Sequence, residues 1–299
     1  MRLTAVGTSG SFPGPASAAS CYVLETADAD RTYRVVLDLG NGAAGPLQSY
    51  TDLADVDAIV LSHLHADHCL DLTVLFVQHR YDPRFFDPEA GAGRPRLPVW
   101  GPGGTRTRLE AAYHVDPGLS PRATEAHPTD MTEAFDFHDV TPGHTFAIGP
   151  LHFEAFLVDH PVESYAYRIT DRTDGTVLTY SGDTDACEGL TAAAREADLF
   201  LCEAAFEEGR DTVCGIHLTG QRAGETAQAA GARSLVLTHI PPWTDRDVVR
   251  TEAAGRYAGP IDLAETDATW TIAPEAPCSG RHDSEQGRAT AAPSTTTQE

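Results

Sequence analysis

The chain has 299 residues, 41% of them hydrophobic, enough for one large α/β domain with a sizeable core. Its formal charge is −23 and all 21 basic residues are arginine, so any nucleic-acid partner needs a local basic patch or bound metal ions. No stretch approaches the roughly 20 apolar residues of a membrane-spanning helix, no charged-then-apolar leader is seen, and the six cysteines include no Cys-x-x-Cys pair; a soluble protein of the reducing cytoplasm is expected.

Residues 2–6, 21–25 and 33–39 read as strands, with a Gly/Ser/Pro loop over 7–20. Asp38-Leu39-Gly40 then puts an acid at a strand end, which turn chemistry alone would explain. The next apolar run, Asp57-Ala58-Ile59-Val60-Leu61-Ser62, reads as a buried strand delivering a loop, and that loop is His63-Leu64-His65-Ala66-Asp67-His68. Four metal-binding side chains fall within six residues. Imidazole and carboxylate together suit a borderline ion such as Zn²⁺ in a site that keeps a position for water, whereas a purely structural site would more often use cysteine.

Residues 70–80 predict the helix after this loop. Residues 81–98, rich in Pro, Gly, Arg and Phe, read as a surface insertion, either a plain loop or a substrate lid. A strand entering a turn follows at 99–103, a short helix at 105–114, and a strand at 151–156 that leads to His160. Residues 165–170 and 176–180 predict a hairpin around Asp174-Gly175, after which Ser181-Gly182-Asp183 stands at a strand end. Then come a helix at 192–197, a strand at 199–202, a helix at 218–232 with Ala223, Ala227 and Ala230 at helical spacing, and a strand at 234–238 ending at His239. Pro241-Pro242-Trp243 gives that strand end a bulky wall. One domain is expected over 1–273, and the Pro/Ser/Thr/Gly/Gln composition of 274–299 predicts a disordered tail.

The His-x-His-x-Asp-His loop after a strand resembles the signature of the metallo-β-lactamase superfamily of dinuclear hydrolases. That resemblance implies an α/β fold, a four-layer αβ/βα sandwich, and two metal ions, Zn²⁺ or alternatively Mn²⁺ or Fe²⁺ on the same N/O ligands. His160, Asp183 and His239 match the order of the remaining ligands. By the resemblance, His63, His65 and His160 hold one ion, Asp67, His68 and His239 the other, and Asp183 bridges both. Asp38 matches an acid that supports the metal histidines from behind.

A narrower likeness lies in His160-Pro161-Val162-Glu163-Ser164-Tyr165-Ala166-Tyr167-Arg168, in Tyr180-Ser181-Gly182-Asp183-Thr184, and in His217-Leu218-Thr219 followed by the Ala-rich helix and Leu237-Thr238-His239. These blocks resemble the ribonuclease Z group, which processes transfer-RNA 3′ ends, and the likeness runs over most of residues 1–270. In that group the histidine matching His217 assists proton transfer during phosphodiester cleavage; a capping neighbour without chemistry is the plain alternative. One departure matters. Only residues 161–182 separate His160 from Asp183, where the group commonly carries a long arm that grips transfer RNA.

The implied activity is therefore a phosphodiesterase that uses a metal-bridging hydroxide, with Asp67 and Asp183 orienting it, on a small phosphodiester or short nucleic acid; transfer RNA is doubtful. A lactonase, thioesterase or β-lactamase-like carbonyl hydrolase competes on the same scaffold. A non-catalytic metal-binding scaffold is opposed by the complete ligand set, and a di-iron relative by Asp67, where that branch usually has glutamate. A homodimer is implied by the resemblance only.

Overall fold

The computed structural model describes residues 1–83, 95–115 and 130–274. A first sheet takes β1 (Arg2–Ser9), β2 (Ala18–Ala19), β3 (Cys21–Ala27), β4 (Thr32–Leu37), β5 (Ala58–Val60), β6 (Leu97–Pro102) and β7 (Phe135–Val140). A second takes β8 (Thr145–Ile148), β9 (Leu151–Leu157), β10 (Tyr165–Asp171), β11 (Val177–Tyr180), β12 (Leu199–Glu203), β13 (Leu235–Thr238) and β14 (Ile261–Leu263). The closing strand, β15 (Thr269–Thr271), returns to the first sheet and pairs antiparallel with β1. The spatial orders are β15-β1-β3-β4-β5-β6-β7 and β14-β13-β12-β11-β10-β9-β8.

Many of these strands are apolar on both faces, and the period-2 alternation of a strand says where each face goes. Leu24, Leu37 and Val60 of the first sheet share one core with Phe153, Tyr167 and Leu201 of the second, so the two sheets face each other. The alternate residues Val23, Val36 and Ile59 turn outward onto α1 (Ala44–Leu47), α3 (Leu72–Tyr81) and α4 (Thr105–Tyr113) through Leu47, Leu75 and Leu109. Phe200 and Cys202 of the second sheet likewise turn onto α5 (Glu188–Ala193), α6 (Gly220–Ala230) and α7 (Arg246–Ala254). The result is the expected αβ/βα sandwich: two helical layers enclosing two sheets. Burying one such aliphatic side chain contributes about 1.5–3 kcal/mol.

The expected hairpin lies within the second sheet. β10 and β11 pair antiparallel with Thr170 opposite Val177, so a short hairpin fills the interval between His160 and Asp183. Several bounds differ from the sequence expectation. The helix expected at 70–80 is α3, and a separate one-turn helix, α2 (Ala66–Cys69), precedes it within the ligand loop; between the two, Asp71 donates its backbone N–H to the Leu39 carbonyl at 3.1 Å and accepts from the Ala44 backbone N–H at 2.8 Å. The helix expected at 192–197 is α5, which starts earlier at a cap where Cys187 Sγ accepts from Leu190 N and ends before Glu196, whose φ is 50°.

Of the insertion expected over 81–98, Tyr81 ends α3 and residues 97–98 belong to β6, while 84–94 lie outside the described residues. Apart from Pro274, the tail does too. Sequence reading missed the strands β7, β8, β14 and β15 and helix α7. Among the described residues no helix is long and apolar enough to cross a membrane.

Candidate metal centre

The polar cluster collects where strands end. Asp38 follows β4, His63 and His65 follow β5, Asp67 and His68 lie on α2, His160 follows β9, Asp183 follows β11 and His239 follows β13. β4 and β5 run parallel in one sheet, and β11, β12 and β13 run parallel in the other, so both sheets aim these ends at one place. Reaching that place demands unusual backbone. Asp38 (φ 54°) and His239 (φ 56°) both occupy the left-handed region, tolerated best outside glycine by Asn, Asp and His, and such strain costs of order 1–3 kcal/mol unless the surroundings enforce it. Gly182, also left-handed at φ 58°, has no alternative, since a Cβ there would stand 2.8 Å from Ser62 Cβ and 2.9 Å from the Tyr165 carbonyl oxygen.

All seven expected ligand residues converge, in two adjoining groups. In the first, His65 Nδ1 lies 3.0 Å from His63 Nε2 and 3.2 Å from His160 Nε2. In the second, Asp183 Oδ1 lies 3.2 Å from His68 Nε2, Asp183 Oδ2 lies 3.2 Å from His239 Nε2, and Asp67 Oδ2 is 3.5 Å and 3.7 Å from the same two nitrogens. Asp183 Oδ2 also reaches within 3.7 Å of His63 Nε2, so this carboxylate touches both groups. The ligand atoms within each group lie within 4.8 Å of one another, a separation that allows a shared cation.

Do the residues fit metal? His68 Nε2, Asp183 Oδ1 and His239 Nε2 are buried without a hydrogen-bond partner, a condition that costs about 1–3 kcal/mol per group and that a cation among them would relieve. Burial, with neighbouring imidazoles adding to it, holds the His63 titration well below the ordinary histidine range, and burial lowers those of His65 and His160, which keeps their lone pairs free for coordination.

The opposite ring nitrogens of His68, His160 and His239 are held, fixing tautomer and orientation as metal-binding histidines require. His68 Nδ1 donates to Asp38 Oδ2 at 2.7 Å, and the same carboxylate accepts from Ser62 N and Ser62 Oγ at 2.7 Å each and from Tyr180 OH at 2.5 Å. The turn-acid reading of Asp38 is thereby replaced by a buried support. His160 Nδ1 donates to the Ile216 carbonyl at 2.8 Å, and His239 Nδ1 lies 2.9 Å from Ser20 Oγ.

His217 stands beside the second group, its Nδ1 3.9 Å from Asp183 Oδ2 and donating to Glu203 Oε1 at 2.9 Å. Burial alone would lower its titration, but the Glu203 carboxylate outweighs that and lifts it to about 9. Glu203, fully buried at the end of β12, also accepts from Thr184 N and Ala205 N. Sequence reading missed it by stopping the strand at Cys202, although an acid ending an apolar strand is the signal that singled out Asp38 and Asp183.

Comparison with known proteins agrees with this geometry. Residues 33–240, a span that includes every ligand named above, match the model of the beta-lactamase superfamily domain. An uncharacterized protein of Mycobacterium leprae is 42% identical over 92% of this chain and 90% of its own length. A ribonuclease Z of Gemmatimonas aurantiaca is 30% identical over 79% of this chain and 85% of its own. The crystal structure of the metallo-beta-lactamase fold protein YhfI from Bacillus subtilis, which is described as a probable metallo-hydrolase, superposes with a TM-score of 0.72 at 26% identity, covering 90% of this chain and 98% of that one. The chain therefore belongs to the metallo-beta-lactamase superfamily and is a metallo-hydrolase with a His/Asp cluster able to bind metal ions.

Proposed function

We propose that the protein is a dinuclear metal-dependent phosphodiesterase acting on a small phosphodiester or short nucleic acid, with two Zn²⁺ as the first choice of ion and Mn²⁺ or Fe²⁺ as substitutes on the same ligands. His63, His65 and His160 would hold one ion, Asp67, His68 and His239 the other, and Asp183 both. Bound there, the ions would supply Lewis acidity and a nucleophile at neutral pH by lowering the pKa of a coordinated water to roughly 7.

The chain's own residues do the rest. Asp67 and Asp183 orient the nucleophile and take up its proton. Glu203 keeps His217 protonated, and the ring nitrogen that Glu203 does not hold, Nε2, delivers the proton to the leaving oxygen. The observation that carries this reading is the His217–Glu203 pair facing Asp183, because a charged acid beside the centre suits an alkoxide leaving group.

The ribonuclease Z relative supports phosphodiester chemistry, while the short hairpin β10–β11, standing where that group's arm is expected, supports a target smaller than transfer RNA. Five described cysteines are free thiols, in keeping with a reducing cytoplasm. The test is a panel on metal-loaded protein: bis(p-nitrophenyl) phosphate, cyclic nucleotides and short RNA against a p-nitrophenyl ester, a lactone and a thioester. Phosphodiester turnover abolished in Asp183→Ala, and lost in His217→Ala with metal retained on the cyclic nucleotides and short RNA, whose alkoxide leaving groups need the acid, is the expected result. Preference for a carbonyl substrate would reassign the protein to the lactonase or thioesterase side.

A further inference from the structure

Two large aromatic side chains stand in solvent beside the metal centre. Phe12 is 44% and Trp243 60% exposed, and their rings pack together with centroids 5.3 Å apart and planes tilted by 32°. They come from two loops welded to the same ligand. Ser9, at the end of β1, bridges Ile240 in parallel, directly after His239. Gly10 abuts His239 so closely that a Cβ there would stand 2.2 Å from its carbonyl oxygen and 3.0 Å from its ring Cδ2. Gly14 packs on Pro242, and Thr244 Oγ1 donates to the Ala205 carbonyl at 3.0 Å, which anchors the far end of the second loop. Trp243 therefore lies within about 14 Å, four residues of chain, of a proposed ligand, and Phe12 two residues from a backbone that touches that ligand's ring.

Leaving two aromatic faces in water is a cost without a ligand, and the remainder of the molecule is poor in alternatives for binding a phosphodiester. The formal charge is −23 and lysine is absent. Beside the ions at the centre, an uncharged contact adds affinity for an anionic nucleotide on so acidic a chain, and a flat aromatic ring offers one to a nucleobase, since every base has a π-face.

We infer that Phe12 and Trp243 form a stacking platform for the base of a nucleoside phosphodiester, whose phosphate is presented to the adjacent His/Asp cluster. This deepens the proposed function and rests on it. Trp243 supplies the exposed ring face, Phe12 braces it from below, and the Ser9–Ile240 bridge fixes the pair relative to His239.

The experiment compares thymidine 5′-(p-nitrophenyl phosphate) with methyl p-nitrophenyl phosphate, two diesters with one leaving group that differ in the nucleoside. The wild type is expected to show a lower KM for the thymidine ester. In Trp243→Ala that KM advantage shrinks on the order of tenfold, the loss of about one base–aromatic stack, and in Trp243→Phe most of it is kept. A KM ratio in Trp243→Ala equal to that of the wild type overturns the platform. If the wild type cleaves neither ester, the phosphodiesterase reading falls by itself. The platform is then judged by titrating thymidine 5′-monophosphate against intrinsic fluorescence: quenching that vanishes in Trp243→Phe supports it, and absence of quenching in the wild type overturns it.

Discussion

At the scale of single residues, the chemistry turns on how buried polar atoms are paired. Glu203 is the informative case, because one carboxylate both lifts the His217 titration and ties it to the backbone around Asp183. A histidine raised to about 9 is protonated below that value and loses its proton as pH rises through it, so an acid role is present at neutral pH and fails on the alkaline side. Glu203→Gln removes the charge and keeps the shape. Its kcat/KM profile is expected to lose its alkaline limb at lower pH than the wild type, and its rate to drop by part of the 10²–10⁴-fold that a positioned acid typically supplies. Coordinated cations would lower both edges alike, so the displacement between the two profiles is the quantity to measure. Identical profiles would remove Glu203 from the mechanism.

At the scale of elements, the loop that carries His217 is pinned from outside the ligand set. Asp185 accepts from Gly215 N at 2.8 Å and from Arg222 Nη1 at 2.8 and 3.0 Å, and this holds the segment whose Ile216 carbonyl orients His160 and whose next residue is His217. Burial opposes ionisation of Asp185, but these donors, with the Ala186 N–H, hold its carboxyl below the usual range. A depressed acid gives its support above the ordinary carboxyl range and withdraws it as pH falls through the lowered value. Asp185→Asn imposes at neutral pH the state of a protonated Asp185 alone and should lower kcat on the order of 10- to 100-fold through misplacement, with bound metal unchanged by elemental analysis. Unaltered kcat would show that the loop holds itself.

Helix packing gives a second test at this scale. The α6–α7 contact is so close that a Cβ at Gly224 would stand 2.6 Å from the Ala253 carbonyl oxygen. Gly224→Ala trades better helix propensity, about 1 kcal/mol, against overpacking of about 1–3 kcal/mol. A lowered urea midpoint is expected, and a raised one would mean that the helices separate freely.

At the scale of the whole molecule, the centre is a clasp between the two sheets: His63, His65, Asp67 and His68 come from the first, and His160, Asp183 and His239 from the second. An ion held by both sheets binds the folded chain and not the unfolded one, so saturating metal at about 100 times its Kd stabilises by roughly 2.7 kcal/mol. Chelation should lower Tm by several degrees in a calorimetric scan, with recovery on returning zinc. A Tm indifferent to chelator would be incompatible with ions shared between the sheets.

The sequence by itself determined most of the proposed ligand set, because these residues sit where local pattern is strongest. His63, His65, Asp67 and His68 occupy one loop after an apolar run, His160 follows a strand legible by its alternation, and Asp183 and His239 follow strands legible by their two-sided burial. The hairpin was likewise carried by its own turn residues. Only the tertiary structure decided what holds those ligands in place. Asp38 under His68, Ser20 beside His239, the Ile216 carbonyl on His160 and Glu203 on His217 join residues from 14 to 219 positions apart. Such partners obey no period, since a hydrogen bond depends on where two strands end in space and not on their spacing along the chain. The same reason kept the edge strands β14 and β15 and the meeting of Phe12 with Trp243 out of the sequence reading: each depends on segments distant in the chain being brought side by side by the fold.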